Sequence, residues 1–132
     1  MNMKKLARTV LIVAAGLVAI GCAPTAVMNI NDAPVVANKP SVTLDDVGKA
    51  IVRAGAAIGF QMVMNRPGVI TGTYAPRGDF TAVVEIKYST QKYSINYKDS
   101  QGLNYDGTNI HRNYNNWIIR LDQSIKTQLS TL

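Results

Sequence analysis

The stretch Ala82-Val83-Val84-Glu85-Ile86-Lys87-Tyr88-Ser89-Thr90-Gln91-Lys92-Tyr93-Ser94-Ile95-Asn96-Tyr97-Lys98 decides the fold. Its first half sets Ala82, Val84, Ile86 and Tyr88 on one side and Val83, Glu85 and Lys87 on the other. Ser89 to Gln91 turns the chain. The second half then sets Tyr93, Ile95 and Tyr97 against Ser94, Asn96 and Lys98. A period of two is the signature of a strand, because successive side chains leave opposite faces of the pleat. Apolar on one side and polar on the other predicts an antiparallel hairpin with one dry and one wet face.

Upstream, the same period predicts two more strands. Val69 to Tyr74 is followed by a loop at Ala75-Pro76-Arg77-Gly78-Asp79, and Phe60, Met62 and Met64 alternate before a turn at Asn65-Arg66-Pro67-Gly68. Before them the period lengthens. Leu44, Val47, Ile51, Ala54 and Ile58 recur every three or four residues, which is one face of a helix. Thr43 with Asp46 three residues on resembles a capping box, and Gly59 can end the helix in a left-handed turn. Downstream, Asp99 to Gly107 is a polar connection, and Asn109 is the expected cap of a last helix. The stripe of that helix is Ile110, Tyr114, Trp117, Leu121, Ile125 and Leu129. The order is α-β-β-β-β-α. The expected fold is therefore α+β: a four-stranded antiparallel meander with an N-terminal and a C-terminal helix packed on one face.

The beginning of the chain follows different rules. Lys4, Lys5 and Arg8 precede an apolar run from Val10 to Ile20, and no acid occurs before Asp32. Spanning a bilayer takes about 20 apolar residues, and this run has roughly half of that. A basic start, a short greasy core and small residues at the end describe a secretory signal instead. Cys22, the single cysteine, stands directly after Ala19-Ile20-Gly21. This arrangement resembles a bacterial lipoprotein signal, in which the thiol receives a diacylglyceryl group and becomes the new N-terminus. Two or more acyl chains anchor a protein stably where one does not. Ala23, and not Asp, follows the cysteine, which by the same resemblance implies the outer membrane.

Residues 1–21 are thus expected to be a signal peptide, and 22–41, with Pro24, Pro34 and Pro40, a lipidated N-terminus and flexible linker. Residues 42–132 are expected to form a single periplasmic α+β domain. Three of the 14 Lys and Arg precede Cys22, so eleven cations face the eight acids of the mature chain and the net charge falls from +6 to +3. That mild excess does not point to nucleic acid, although weak attraction to headgroups or cell-wall carboxylates is consistent with it.

Tyr105-Asp106-Gly107 through Ile110-His111-Arg112-Asn113-Tyr114-Asn115 to Trp117, taken with Tyr93-Ser94-Ile95-Asn96-Tyr97, resembles a family of small proteobacterial lipoproteins. The resemblance spans about residues 43 to 129. It implies an envelope location and brings no activity, substrate or cofactor. The general layout is also similar to helix-grip domains of outer-membrane assembly lipoproteins, an analogy of fold that does not carry function.

Candidate site residues are few. His111 is the only histidine, and with no free thiol it makes a poor first shell for a metal, so no metal is expected. As a lone histidine beside a helix stripe it reads first as a boundary residue bonding a carbonyl. Tyr74, Tyr88, Tyr93, Tyr97, Tyr105, Tyr114 and Trp117 fall mostly on inward positions and read as core. Arg77-Gly78-Asp79 is turn chemistry before it is an adhesion tripeptide. Asp79, Glu85, Asp99 and Asp106 show no catalytic spacing.

The first expectation is a non-enzymatic, lipid-tethered interaction module of the outer membrane without a cofactor, contacting another envelope component. Arg112, Asn115 and the wet face are its candidate contacts. The alternative is a module binding a small ligand, lipid or cell-wall fragment in a cleft near Tyr105, His111 and Trp117.

Overall fold

The computed structural model describes residues 24–132, so the expected signal peptide and the expected lipidation at Cys22 lie outside the described residues. Nine elements follow in chain order. They are β1 (Thr25–Ala26), β2 (Ile30–Pro34), α1 (Leu44–Ala57), β3 (Gln61–Arg66), β4 (Val69–Tyr74), β5 (Thr81–Tyr88), β6 (Lys92–Gln101), β7 (Asn109–Ile110) and α2 (Arg112–Ser130). The class is α+β, with an antiparallel sheet and two helices.

Strands β3 to β6 form a meander in which each pairs with the next, Gln61 to Thr73, Ile70 to Ile86 and Ile86 to Ile95. The expected count of four is corrected to five. Strand β2 lies antiparallel to β6, with Ile30 opposite Ile95 and Ala33 opposite Tyr93, giving the order β2-β6-β5-β4-β3. β1 pairs separately with β7.

The described part of the stretch expected to be a flexible linker is therefore folded onto the domain from Thr25 onward. Val27, Met28, Ile30, Ala33 and Val35 pack against the core. The irregularity that hid this strand is physical. Asp32 adopts φ 54°, breaking the register between Ile30 and Ala33, so no period of two survives in the sequence.

Helix α1 starts as the sequence predicts. Thr43 Oγ1 accepts the Asp46 N–H at 3.0 Å, and Asp46 Oδ2 accepts the Thr43 N–H at 3.0 Å. Two otherwise orphaned donors are thereby satisfied. The helix ends where Gly59 takes φ 94°. Gly48 and Gly55 are buried, and a Cβ on them would collide with Tyr88 and Met62 respectively. Their role is close approach of α1 to the sheet.

Helix α2 differs in one detail: its cap is His111, not Asn109, which belongs to β7. Its buried stripe is Tyr114, Ile118, Leu121, Ile125 and Leu129, with Trp117 at the margin. The two helices pack on each other and on the face bearing Ala82, Val84, Ile86, Tyr93 and Ile95, all at most 1% exposed. The opposite face carries Thr71, Thr73, Glu85, Lys87, Ser94 and Asn96, none fully buried.

Candidate functional site

The register divides the molecule into two ends. At one, β4 finishes, β5 begins and β6 finishes, with Tyr74 opposite Ala82 and Thr81 opposite Gln101. Strands β1 and β7, the 75–80 loop and the start of α2 gather there. At the other end lie the Ser89–Gln91 turn, Pro34 opposite Lys92, and the last turn of α2, after which the Leu132 carbonyl accepts the N–H groups of Asn38 and Lys39. Of the sequence-predicted residues, Tyr105, His111, Arg112, Asn115 and Trp117 belong to the first end, and the wet face runs between the two.

His111 sits between β7 and α2. Its N–H donates to the Leu103 carbonyl at 2.9 Å, and its Nδ1 accepts the Asn113 N–H at 3.1 Å. The cap therefore occupies one ring nitrogen and leaves Nε2 for any other partner. Arg112, next to it, is exposed.

Asn115 is committed to the N-terminal segment. Its Oδ1 accepts the Met28 N–H at 2.9 Å, while Nδ2 donates to Thr25 Oγ1 at 3.1 Å and to the Ala26 carbonyl at 2.9 Å. One side chain one turn into α2 thus clamps β1 and the chain that leads to β2.

The aromatic residues separate into two groups. Tyr97 stacks on Tyr105 with ring centres 3.9 Å apart and meets Tyr114 edge-on at 5.6 Å. Tyr105 is 38% exposed and donates its hydroxyl to the Gly107 carbonyl at 3.2 Å. In the second group Tyr74 lies between Phe60, stacked at 4.9 Å, and Trp117, edge-on at 5.0 Å. Beside Trp117 is a groove of about 340 Å³ lined by Tyr74, Pro76, Arg77, Phe80 and Asn113. Neither Tyr105 nor His111 lines it. Four of its residues, Pro76, Arg77, Phe80 and Asn113, were not legible as site residues, because nothing in the sequence says that the turn at 75–80 will lie beside the start of α2.

The carboxylates are occupied by local structure. Asp106 Oδ1 accepts the N–H of Thr108 at 2.9 Å and of Asn109 at 2.6 Å, and these bonds hold its carboxyl below the usual range. Asp99 accepts the Ser100 N–H, and Glu85 pairs with Lys87 at 3.6 Å. Among the described residues, no group of three or more His, Cys, Asp or Glu could hold a metal ion. No helix among them is long and apolar enough to cross a membrane.

The two sheet edges differ. On β2, Asp32 bulges out and pairs with Lys92 at 3.5 Å, and Pro34 removes a donor. On β3, Val63 is 50% and Met64 40% exposed, and among the described residues no strand pairs with its outer side. No protein-family model matches the chain, and no curated protein or solved structure is significantly similar to it.

Proposed function

We propose that the protein is a non-enzymatic lipoprotein of the outer membrane, lipid-tethered through Cys22, whose periplasmic domain is an interaction module of the cell envelope. The anchor half of this reading rests on Lys4, Lys5 and Arg8, the short apolar run, and Gly21-Cys22-Ala23. It agrees with the resemblance to small proteobacterial lipoproteins.

The interaction half is carried by one observation, the contrast between the edges. Proteins blunt exposed edges with bulges, prolines and inward or paired charges, and β2 has all three. Strand β3 also shifts register, between Met64 and Arg66, but among the described residues it carries no proline or ion pair, has no strand on its outer side and exposes Val63 and Met64, the surface that strand addition uses. An extended segment of an envelope protein fits there, with main-chain bonds supplying affinity and alternate side chains supplying selectivity.

Photo-crosslinking in intact cells tests this. A crosslinking amino acid in place of Val63 is expected to give one discrete protein adduct that a crosslinker in place of Thr90 does not. The adduct should weaken in Cys22→Ala, which removes the anchor. Diffuse or absent adducts from both Val63 and Met64 would overturn the edge as the contact surface.

A second reading, a small-ligand or cell-wall binder, is favoured by the groove at Trp117. It expects a muropeptide or glycan to change Trp117 fluorescence in the soluble domain, and Arg77→Ala to abolish that change.

A further inference from the structure

We infer that the end of the molecule formed by β1, β7, the 75–80 loop and the start of α2 docks on the phospholipid headgroups of the membrane that holds Cys22. The inference rests on lipidation of Cys22 as proposed above, and it begins from chain length. Thr25 is hydrogen-bonded through its hydroxyl to the Ile110 carbonyl and through Asn115 to α2, so it is part of the fold. Only three peptide units separate it from Cys22. Fully extended, they reach about 11 Å. A headgroup layer is itself roughly 5 to 8 Å thick on each side of the hydrocarbon. The folded domain therefore has no long tether, and the end bearing Thr25 is held at the lipid surface.

The chemistry of that end suits the position. Trp and Tyr concentrate at the membrane interface, where an apolar ring and a polar tip are both satisfied. Trp117, Tyr74 and Phe80 line the groove, and Tyr105 stands exposed on the neighbouring loop. Arg77 and Arg112 are exposed and form no ion pair among the described residues. Guanidinium groups of this kind match phosphate in a forked geometry. The acids at the same end are Asp79, Asp99 and Asp106, and the last two are turned onto backbone N–H groups. Lys98, exposed beside Asp99 near the end of β6, makes three cations against three acids, so the local charge is balanced. The fit is to a phosphate-rich zwitterionic or mildly anionic surface, with the arginines as its contacts.

The test uses the full lipidated chain in vesicles of phosphatidylethanolamine and phosphatidylglycerol. Trp117 is the single tryptophan and serves as the probe. A nitroxide-labelled headgroup lipid is expected to quench it several-fold more than a tryptophan at the far end, supplied by Thr90→Trp in a Trp117→Phe background. Tyr74, packed edge-on against Trp117, pairs with Ala82 near the start of β5, and Tyr88 at the end of that strand adjoins the turn bearing Thr90, a run of about 20 Å. Arg77→Glu with Arg112→Glu should cut the Trp117 quenching at least in half while flotation with the vesicles is retained. Amide exchange at residues 104–108 should slow on vesicles relative to detergent, a readout that needs no variant. Flotation of the wild-type chain but not of Cys22→Ala reports the anchor separately. A chain that floats yet shows equal quenching at both ends overturns the docking and leaves the anchor standing. A chain that carries no lipid overturns both.

Discussion

Tyr93 and Tyr114 show how much a single hydroxyl decides. Both rings are at most 1% exposed, and burial pushes both phenol pKa values up. Tyr93 donates its hydroxyl to Asp122 Oδ1 at 2.5 Å, whereas the Tyr114 hydroxyl has no partner among the described residues. A hydrogen bond to a charged group contributes about 1.5–3 kcal/mol, and an unmet buried polar group costs about 1–3 kcal/mol. Tyr93→Phe should therefore destabilise by roughly 2 kcal/mol, and Tyr114→Phe should be neutral or stabilising by up to about 1 kcal/mol. Urea unfolding of the two variants beside the parent chain checks the contrast. The inward position of both rings was legible from their spacing. Their hydrogen bonding was not, since Asp122 lies 29 residues from Tyr93 and meets it only through the tertiary fold. Asp46 carries a pH consequence at the same scale. The Thr43 N–H, then Lys39 at 2.9 Å and the Thr43 hydroxyl, lower its carboxyl pKa to about 2. A carboxyl with a depressed folded pKa adds stability above its unfolded value of 3.8 and loses it as the pH falls toward 2. The melting temperature of the parent chain should thus fall more steeply between pH 4 and pH 2 than that of Asp46→Asn, which has no carboxylate to protonate there.

Among the elements, legibility follows regularity. Strands β5 and β6 alternate without interruption from Ala82 to Tyr88 and from Tyr93 to Tyr97, so the sequence shows their faces, and the capping box of Thr43 and Asp46 marks the start of α1. Strand β2 was missed because its bulge at Asp32 and its Pro34 carry the sequence of a linker. Asn109 looked like a cap, yet its backbone pairs with Ala26, so the cap moved two residues on to His111. That pairing depends on a clamp no local pattern reveals. Asn115 makes three hydrogen bonds to the segment Thr25–Met28. Asn115→Ala removes all three and is expected to cost about 1–3 kcal/mol, much of it as local opening and not global unfolding. Native-state amide exchange should accelerate at Val27 and Met28 far more than in β5. Unchanged protection at Met28 would show that β1 is held by its backbone pairing with β7 alone.

For the whole molecule, the boundary between tether and domain matters most. A cut at residue 42, where the sequence places the domain boundary, removes β1, β2 and the strap to α1. Val27, Met28, Ile30, Ala33 and Val35 are each partly buried against the core. At about half the 1.5–3 kcal/mol of a fully buried side chain, the larger four of these contribute roughly 3–6 kcal/mol together. Domains of this size have only about 5–15 kcal/mol in total. The cut also strips the neighbour from β6, turning a ten-residue strand that carries Tyr93 and Ile95 into an open edge. Long apolar edges recruit other chains. A fragment of residues 42–132 should therefore unfold at markedly lower urea concentration than a fragment of 24–132, and should sediment as aggregates as its concentration rises. Equal unfolding midpoints would mean that the N-terminal strand is a loosely held passenger. The proposed membrane docking would then lose its physical basis, because an anchor at Cys22 would pull on a segment free to peel away.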